Sequence, residues 1–187
     1  MTVIVAAKNK SGVILAADRQ TTAGSSQLEN QEPKLWVADR YVVGCAGDVR
    51  TAQVLRYGMD WPTYRPKEDV DWMRFVVTRI VPEMRSTLEG RILNLDETYL
   101  GGIHVLVATR GRFAAVYDNG AVVSDRSGRT AIGSGNLEAL GYLGNEGPWD
   151  ASDVVTAVRR AAITDTGVSG PISVADTRSL EVVTEDG

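Results

Sequence analysis

Thr2 holds the most reactive potential in the chain because of its neighbours. It follows Met1 and precedes the apolar run Val3-Ile4-Val5-Ala6-Ala7. Its side chain is small, and methionine aminopeptidases remove an initiator Met when the next residue is small. The expected mature chain therefore begins at Thr2, with a secondary hydroxyl and a free α-amine on one residue. A hydroxyl attacks poorly at neutral pH until a base takes its proton. The α-amine can be that base, since its reference pKa of roughly 7.7–8.0 lies near neutrality. Threonine working with its own terminal amine is a recognised nucleophile–base pair. Retention of Met1 would remove the amine and the mechanism with it. Taken alone, Thr2 also reads as the plain start of a β-strand.

The composition narrows the field. A length of 187 residues suits one domain, 1–187, with a sizeable core. Hydrophobic residues make up 43% and charged residues 24%, an ordinary globular mixture. The net charge of -4 points away from nucleic acid and from anionic membranes. Cys45 is the single cysteine, so no disulfide forms within the chain, which fits a reducing compartment. His104 is the single histidine, which excludes a multi-histidine metal site. No metal and no cofactor are expected. No basic-and-apolar leader precedes the domain, and no run approaches the roughly 20 apolar residues of a membrane span. A soluble, cytoplasmic protein is the expectation.

The elements that would position Thr2 follow from periodicity and turn residues. Val3–Lys8 and Gly12–Ala17 read as a hairpin turning through Asn9-Lys10-Ser11-Gly12. Its second strand runs into Asp18, and the polar stretch Ser25–Pro33 reads as a loop. Lys34–Val37 and Tyr41–Ala46 give a second hairpin about Ala38-Asp39-Arg40. Asp48 suits a helix N-cap, with a helix over Val49–Met59. After a loop over Asp60–Pro66, a second helix is expected from Asp69. It carries Trp72, Met73, Phe75, Val76, Ile80 and Met84 on one side and a kink or an end at Pro82. Gly102–Thr109 and Arg112–Tyr117 form a third hairpin, and Ala121–Ser124 adds a strand. Ala131-Ile132-Gly133-Ser134-Gly135 is a tight junction before a helix over Asn136–Leu143. Asp150 or Ser152 caps a helix over Asp153–Thr164, and Ile172–Asp176 with Leu180–Thr184 closes the chain. Strand pairs separated by two pairs of helices imply an α+β protein. The expected form is a four-layer αββα sandwich of two antiparallel sheets.

The ordered set of motifs resembles the proteasome β-subunit and HslV peptidase family, the threonine class of N-terminal nucleophile hydrolases. The carrying residues are Thr2–Ala6, Ala16-Ala17-Asp18-Arg19-Gln20-Thr21-Thr22-Ala23-Gly24, Lys34 and Gly44-Cys45-Ala46-Gly47-Asp48. Ile132-Gly133-Ser134-Gly135 and Asp165-Thr166-Gly167-Val168-Ser169-Gly170 follow, so the match spans nearly the whole chain. No single motif decides the matter; their order and spacing do.

The resemblance implies roles for particular residues. Lys34 would lie close to the Thr2 amine, and its ammonium would disfavour protonation of that amine and stabilise the developing alkoxide. Asp18 would hold Lys34 charged and oriented, because an unpaired buried charge is expensive. Gly47 would supply an oxyanion N–H at a strand-to-helix junction. Ser134, Asp165 and Ser169 would position the amine by hydrogen bonds. Thr22 and Gly24 match the segment whose backbone pairs with an extended substrate as an added strand. Trp36 and Cys45 would wall the pocket for the residue before the scissile bond. His104, in the apolar strand Ile103–Ala108, reads as structural, and Trp61, Trp72 and Trp149 as packing residues.

The implied activity is that of a threonine-type endopeptidase acting on peptides or unfolded proteins. The implied setting is a self-compartmentalising homo-oligomeric ring served by an ATP-dependent unfoldase. A non-catalytic ring subunit is one rival. A different N-terminal nucleophile reaction, amide hydrolysis of a small molecule or transpeptidation, is another. Related enzymes sometimes hold a cation near the loop equivalent to Asp165–Ser169, although the residues themselves indicate no metal site.

Overall fold

A computed structural model of the protein describes residues 2–23, 26–29, 32–66, 71–91 and 99–185. The chain opens with β1 (Val3–Lys8) and β2 (Val13–Asp18), paired antiparallel with Ile4 opposite Ala17 and Lys8 opposite Val13. The turn between them is fixed by Asn9, whose Oδ1 accepts from the N–H groups of Ser11 (2.8 Å) and Gly12 (2.5 Å). β3 (Gln20–Ala23) and β4 (Ser26–Glu29) form a two-stranded ribbon. Part of the polar stretch expected as loop is thus a strand, held by main-chain pairing that polar residues do not forbid.

β5 (Leu35–Ala38) and β6 (Tyr41–Gly47) make the second hairpin, turning through Asp39 at φ 52°. Asp48 caps α1 (Val49–Gly58) by accepting from Thr51 N at 2.7 Å. α2 (Trp72–Phe75) is capped by Asp71; Asp69, the expected start, lies outside the described residues. A π turn (Val76–Ile80) then leads into α3 (Val81–Leu88). Pro82 therefore does not end the helix. Val81 N donates back to Val76 O, so the backbone widens to i→i−5 bonding just before the residue that has no N–H to give.

β7 (Ile103–Thr109), β8 (Arg112–Val116) and the short β9 (Val122–Val123) follow as a meander. β10 (Arg129–Gly133) is a strand where only a junction was expected. It lies antiparallel to β1, with Gly133 opposite Val3. α4 (Asn136–Leu143) and α5 (Ala151–Thr164) form the second helical pair. Asp150, not Ser152, caps α5, in a reciprocal box with Asp153. β11 (Ile172–Asp176) and β12 (Glu181–Glu185) finish the chain.

The strands assemble into two five-stranded antiparallel sheets, ordered β10-β1-β2-β11-β12 and β5-β6-β7-β8-β9. Alternation along each strand divides the apolar residues among three cores. Val3, Val5 and Ala16 face α4 and α5, together with Val154 and Val158. Tyr41, Val43 and Val105 face the other helical layer, with Leu55, Ile80 and Met84. Ile4, Leu15, Leu35, Leu106 and Phe113 fill the space between the sheets. The result is the αββα sandwich that the strand and helix order implies. Among the described residues no helix is long and apolar enough to cross a membrane.

Leu106 is fully buried in the inter-sheet core. Leu106→Ala should cost about 2–5 kcal/mol, from lost apolar contact and an unfilled cavity. Leu137→Ala, at a side chain 76% exposed, should stay within about 0.5 kcal/mol. Denaturant midpoints of the two variants check the layer assignment; a smaller loss at Leu106 than at Leu137 contradicts it.

Candidate active site

Thr2 precedes the first residue of β1 and is buried between the neighbours of that strand. Its N–H donates to Ser134 Oγ at 3.2 Å, and its carbonyl accepts from Gly135 N at 3.4 Å. These contacts require the backbone of residues 133–135 to lie directly against it. Gly133 has φ +92°, and a Cβ there would stand 2.2 Å from Thr2 O. A Cβ on Gly135 would meet Ala161 Cβ at 2.9 Å. The Gly-Ser-Gly sequence is thus a packing requirement imposed by Thr2 and α5.

Lys34, just before β5, places Nζ 2.8 Å from Thr2 Oγ1 and 2.7 Å from Asp18 Oδ2. Asp18 ends β2 and is 1% exposed. Its carboxylate also accepts from Val3 N at 2.9 Å and from Gln20 N at 3.1 Å. Burial is the largest influence on both charged groups, pushing Asp18 up from the usual carboxylate range and Lys34 down from the usual ammonium range. Their mutual attraction opposes that on each, with Asp165 adding to it at Lys34. The net direction is up for Asp18 and down for Lys34.

Ser134 connects Thr2 to a second acid. Its hydroxyl donates to Asp165 Oδ2 at 2.5 Å, against 3.4 Å to Thr2 O. One hydroxyl has one proton, and the charged, closer acceptor takes it. The Ser134 oxygen therefore faces Thr2 N as an acceptor. Asp165 stands at the C-terminus of α5, and its Oδ1 is held by Gly167 N at 2.9 Å. Ser169, expected at the amine, donates instead to Gln20 Oε1 at 2.5 Å. Gln20 stands in the Ala16–Gly24 motif but was given no role there; its place two positions after Asp18 was the only further signal, and a strand-end glutamine is usually a surface residue.

Gly47 closes β6 at φ +122°, and a Cβ there would lie 2.3 Å from Gly102 O. No other residue fits that position without moving β7. Trp36 and Cys45 are buried on the α1 side of their sheet and line the cavity that opens beside Thr2. Burial raises the Cys45 thiol well above its ordinary range, which leaves no thiolate at neutral pH to rival Thr2 as nucleophile. Thr22 lies in β3 opposite Gln27, and Gly24 is outside the described residues.

The cavity has a volume of about 500 Å³. Thr2, Lys34, Gly47 and Ser134 all border it. On the α1 side Val49 and Ala52 lie beside Trp36 and Cys45, with the polar Gln53 and Arg56 among them. His104 also borders it, packed edge-on against Tyr117 at 5.0 Å and 4.0 Å from Asp118. That side chain was expected to be structural, because its strand is apolar. It lies on the same face of β7 as Leu106 and Ala108, at the end of the inter-sheet space where the cavity opens, and is only partly buried there. A buried hydroxyl touching a buried ammonium, with polar hydrogen-bond groups converging on one N–H, is an arrangement suited to acyl transfer.

Comparison with known proteins gives one consistent picture. The family profile for the proteasome subunit matches residues 2–60. A proteasome subunit beta of Saccharopolyspora erythraea is 30% identical over 218 aligned positions, covering 98% of this chain and 76% of that protein. The crystal structure of eukaryotic HslV from Trypanosoma brucei superposes with a TM-score of 0.70 at 21% identity, covering 98% of this chain and 100% of the other. Thiobacillus denitrificans BPH gives 0.74 at 19% identity and 98% of both chains. Anbu, an ancestral beta-subunit from Yersinia bercovieri, gives 0.69 at 16% identity, over 99% of this chain and 88% of that one.

The glycine geometry has a direct consequence for stability. Gly133→Ala should destabilise the fold by about 1–3 kcal/mol, since it combines a left-handed backbone with a clash on Thr2. Gly141→Ala, in α4 with open space around it, should stabilise by roughly 0.5–1 kcal/mol. Urea unfolding of the two variants should give shifts of opposite sign.

Proposed function

The chain belongs to the proteasome β-subunit and HslV-like family of N-terminal nucleophile hydrolases, and from that premise we propose that it is a threonine-type endopeptidase with Thr2 as its nucleophile. The observation that carries this reading is the Lys34 ammonium bridging the Thr2 hydroxyl and the Asp18 carboxylate. A surface lysine would have no reason to bury its charge against a threonine oxygen.

Removal of Met1 gives Thr2 its α-amine. One amine N–H donates to Ser134, whose own proton is committed to Asp165, which leaves the amine lone pair to act as base. The amine takes the hydroxyl proton as Oγ1 bonds to the substrate carbonyl carbon. Lys34 stabilises the oxygen as its proton leaves, being already hydrogen-bonded to it. Gly47 N–H holds the carbonyl oxygen as it becomes an oxyanion. The carbon–nitrogen bond then breaks, the amine proton passes to the departing amine, and an ester remains on Thr2. Water, activated by the same α-amine, cleaves that ester.

The substrate is a peptide or an unfolded protein chain. It lies extended along Thr22 and Gly24, with the side chain before the scissile bond in the cavity walled by Trp36 and Cys45. Residues 1–187 act as one domain, in the cytoplasm, within a homo-oligomeric ring fed by an ATP-dependent unfoldase. Family membership supports that setting. So do Tyr142 and Ile163, which leave apolar surface on α4 and α5 at 44% and 70% exposure.

The test begins with the N-terminal residue, by mass spectrometry, and hydrolysis of peptide–coumarin and unfolded-protein substrates. Thr2→Ala should abolish turnover with the fold intact, and Thr2→Ser should retain some. Turnover above a few per cent in Thr2→Ala removes the assignment. Native mass should show a large closed oligomer, not a 20.2 kDa monomer. The pH–rate profile separates the two charges. The ammonium of Lys34 repels a proton on the amine, so Lys34→Ala should raise the amine pKa and move the acidic limb to higher pH. One unit of displacement corresponds to about 1.4 kcal/mol. Asp18 holds the Lys34 pKa up against burial, so Asp18→Asn should let it fall and move the alkaline limb to lower pH. Unshifted limbs in both variants exclude the pair from the reaction.

A further inference from the structure

Two groups of residues hold Thr2, and both end on one glutamine to which neither the motif nor the reaction assigns a role. We propose that Gln20 is a positioning residue that locks the Lys34–Asp18 arm of the site to the Ser134–Asp165 arm; the inference rests on the peptidase reading of Thr2.

Gln20 is 3% exposed and opens β3, two positions after Asp18. Its main-chain N–H donates to Asp18 Oδ2, the same oxygen that receives Lys34 Nζ. Its side-chain amide reaches the other way. Nε2 donates to Thr166 O at 3.3 Å, and Oε1 accepts from Ser169 Oγ at 2.5 Å. A carbonyl can only accept, so the amide nitrogen must face Thr166 and the amide oxygen Ser169. The orientation of the amide is thereby determined by its partners.

Thr166 and Ser169 belong to the loop that follows α5, which begins at Asp165. Asp165 carries Ser134, and Ser134 carries Thr2 N. The bonds close a circuit. It runs from Thr2 Oγ1 through Lys34 and Asp18 to Gln20, across to the 165–169 loop, and back through Asp165 and Ser134 to Thr2 N. Neither arm alone fixes the distance between the Thr2 hydroxyl and the group that accepts from its nitrogen. Gln20 joins the strand that carries the first arm to the loop that carries the second. It reaches no reacting atom itself.

Three substitutions at Gln20 separate the parts of this role. Gln20→Leu keeps bulk and removes both side-chain bonds. Gln20→Asn keeps the amide but shortens its reach. Gln20→Glu can still accept from Ser169 but cannot donate to Thr166. On a peptide–coumarin substrate, Gln20→Leu and Gln20→Asn should lower kcat at least about tenfold, as expected for a misplaced reacting group, with KM nearly unchanged. Gln20→Glu should fall between them and the parent protein. In a Ser134→Ala background the same Gln20→Leu change should cost no more than about twofold, because the arm it acts through is already cut.

Hydrogen–deuterium exchange supplies a readout that needs no turnover. In Gln20→Leu, peptides covering 131–136 and 165–170 should both exchange at least about fivefold faster than in the parent. Normal kcat with a folded variant overturns the proposal. So does an equal loss in the Ser134→Ala background, or faster exchange confined to residues near 20. Should Gln20→Leu fail to fold, Gln20→Glu and Gln20→Asn give the same two readouts. A parent protein that begins at Thr2 and hydrolyses no peptide counts against the peptidase reading instead, and the exchange result then stands on its own.

Discussion

The buried contact between Lys34 and Asp18 is the constraint that the surrounding structure must satisfy. Taking two charges out of water costs several kcal/mol for each ion, and their attraction offsets that only when the remaining hydrogen-bond capacity is also met. Asp18 meets it with the N–H groups of Val3 and Gln20, and Lys34 meets it with the Thr2 hydroxyl. Asp18 ends a strand of one sheet, and Lys34 leads into a strand of the other. The pair therefore ties the two sheets together at the end where the cavity opens. Loss of either partner would leave the other buried and uncompensated, a penalty on the order of 3–5 kcal/mol. Site and fold are not separable here: the charge that touches the Thr2 hydroxyl is also a cross-link of the sandwich.

Around that pair the backbone does what side chains cannot. Gly47 and Gly133 both hold left-handed φ values where a Cβ would strike a neighbouring carbonyl. One turns β6 toward α1 at the cavity edge, and the other brings β10 against the Thr2 carbonyl. Each lets two main chains approach closely, and beside Gly133 that approach brings Gly135 N to the Thr2 carbonyl. The direction of the Ser134 proton is then decided by Asp165, an electrostatic choice made more than 130 positions along the chain from Thr2.

The hairpins were legible because their turns carry specific chemistry. Asn9-Lys10-Ser11-Gly12 and Arg110-Gly111 each sit between strands of matching alternation. Capping made Asp48 and Asp150 readable in the same way. β4 was missed because Ser26, Gln27 and Glu29 are polar, and β10 because Arg129–Gly133 is short and ends in glycine. A helix carrying Met84 past a kink at Pro82 was legible, but the π turn that precedes the proline was not, because it has no distinct pattern of apolar residues. At the site, Thr2 announced itself through its hydroxyl and its place beside Met1. Lys34 and Asp18 were identified through family resemblance, since a lysine and an aspartate at strand ends are common. A role for Gln20 and its link to Ser169 were not legible, although the residue stands in the Ala16–Gly24 motif. They depend on which loop lands beside which strand, and that is settled by packing of α5 against β1 and β2, not by local sequence.

The hydrogen bond from Thr2 N to Ser134 has a consequence for how such a site would be switched on. That N–H is donated while Thr2 is still an ordinary amide within the chain. An α-amine at the same place would find the same acceptor at the same distance. Maturation would then be a change of chemistry without a change of shape. The uncut chain would be a zymogen whose latency resides in one covalent bond and not in a misplaced loop. Activation of that kind needs no refolding and cannot be reversed by an effector. Its timing would belong to the processing enzyme, and the fold would wait ready-made for the cut.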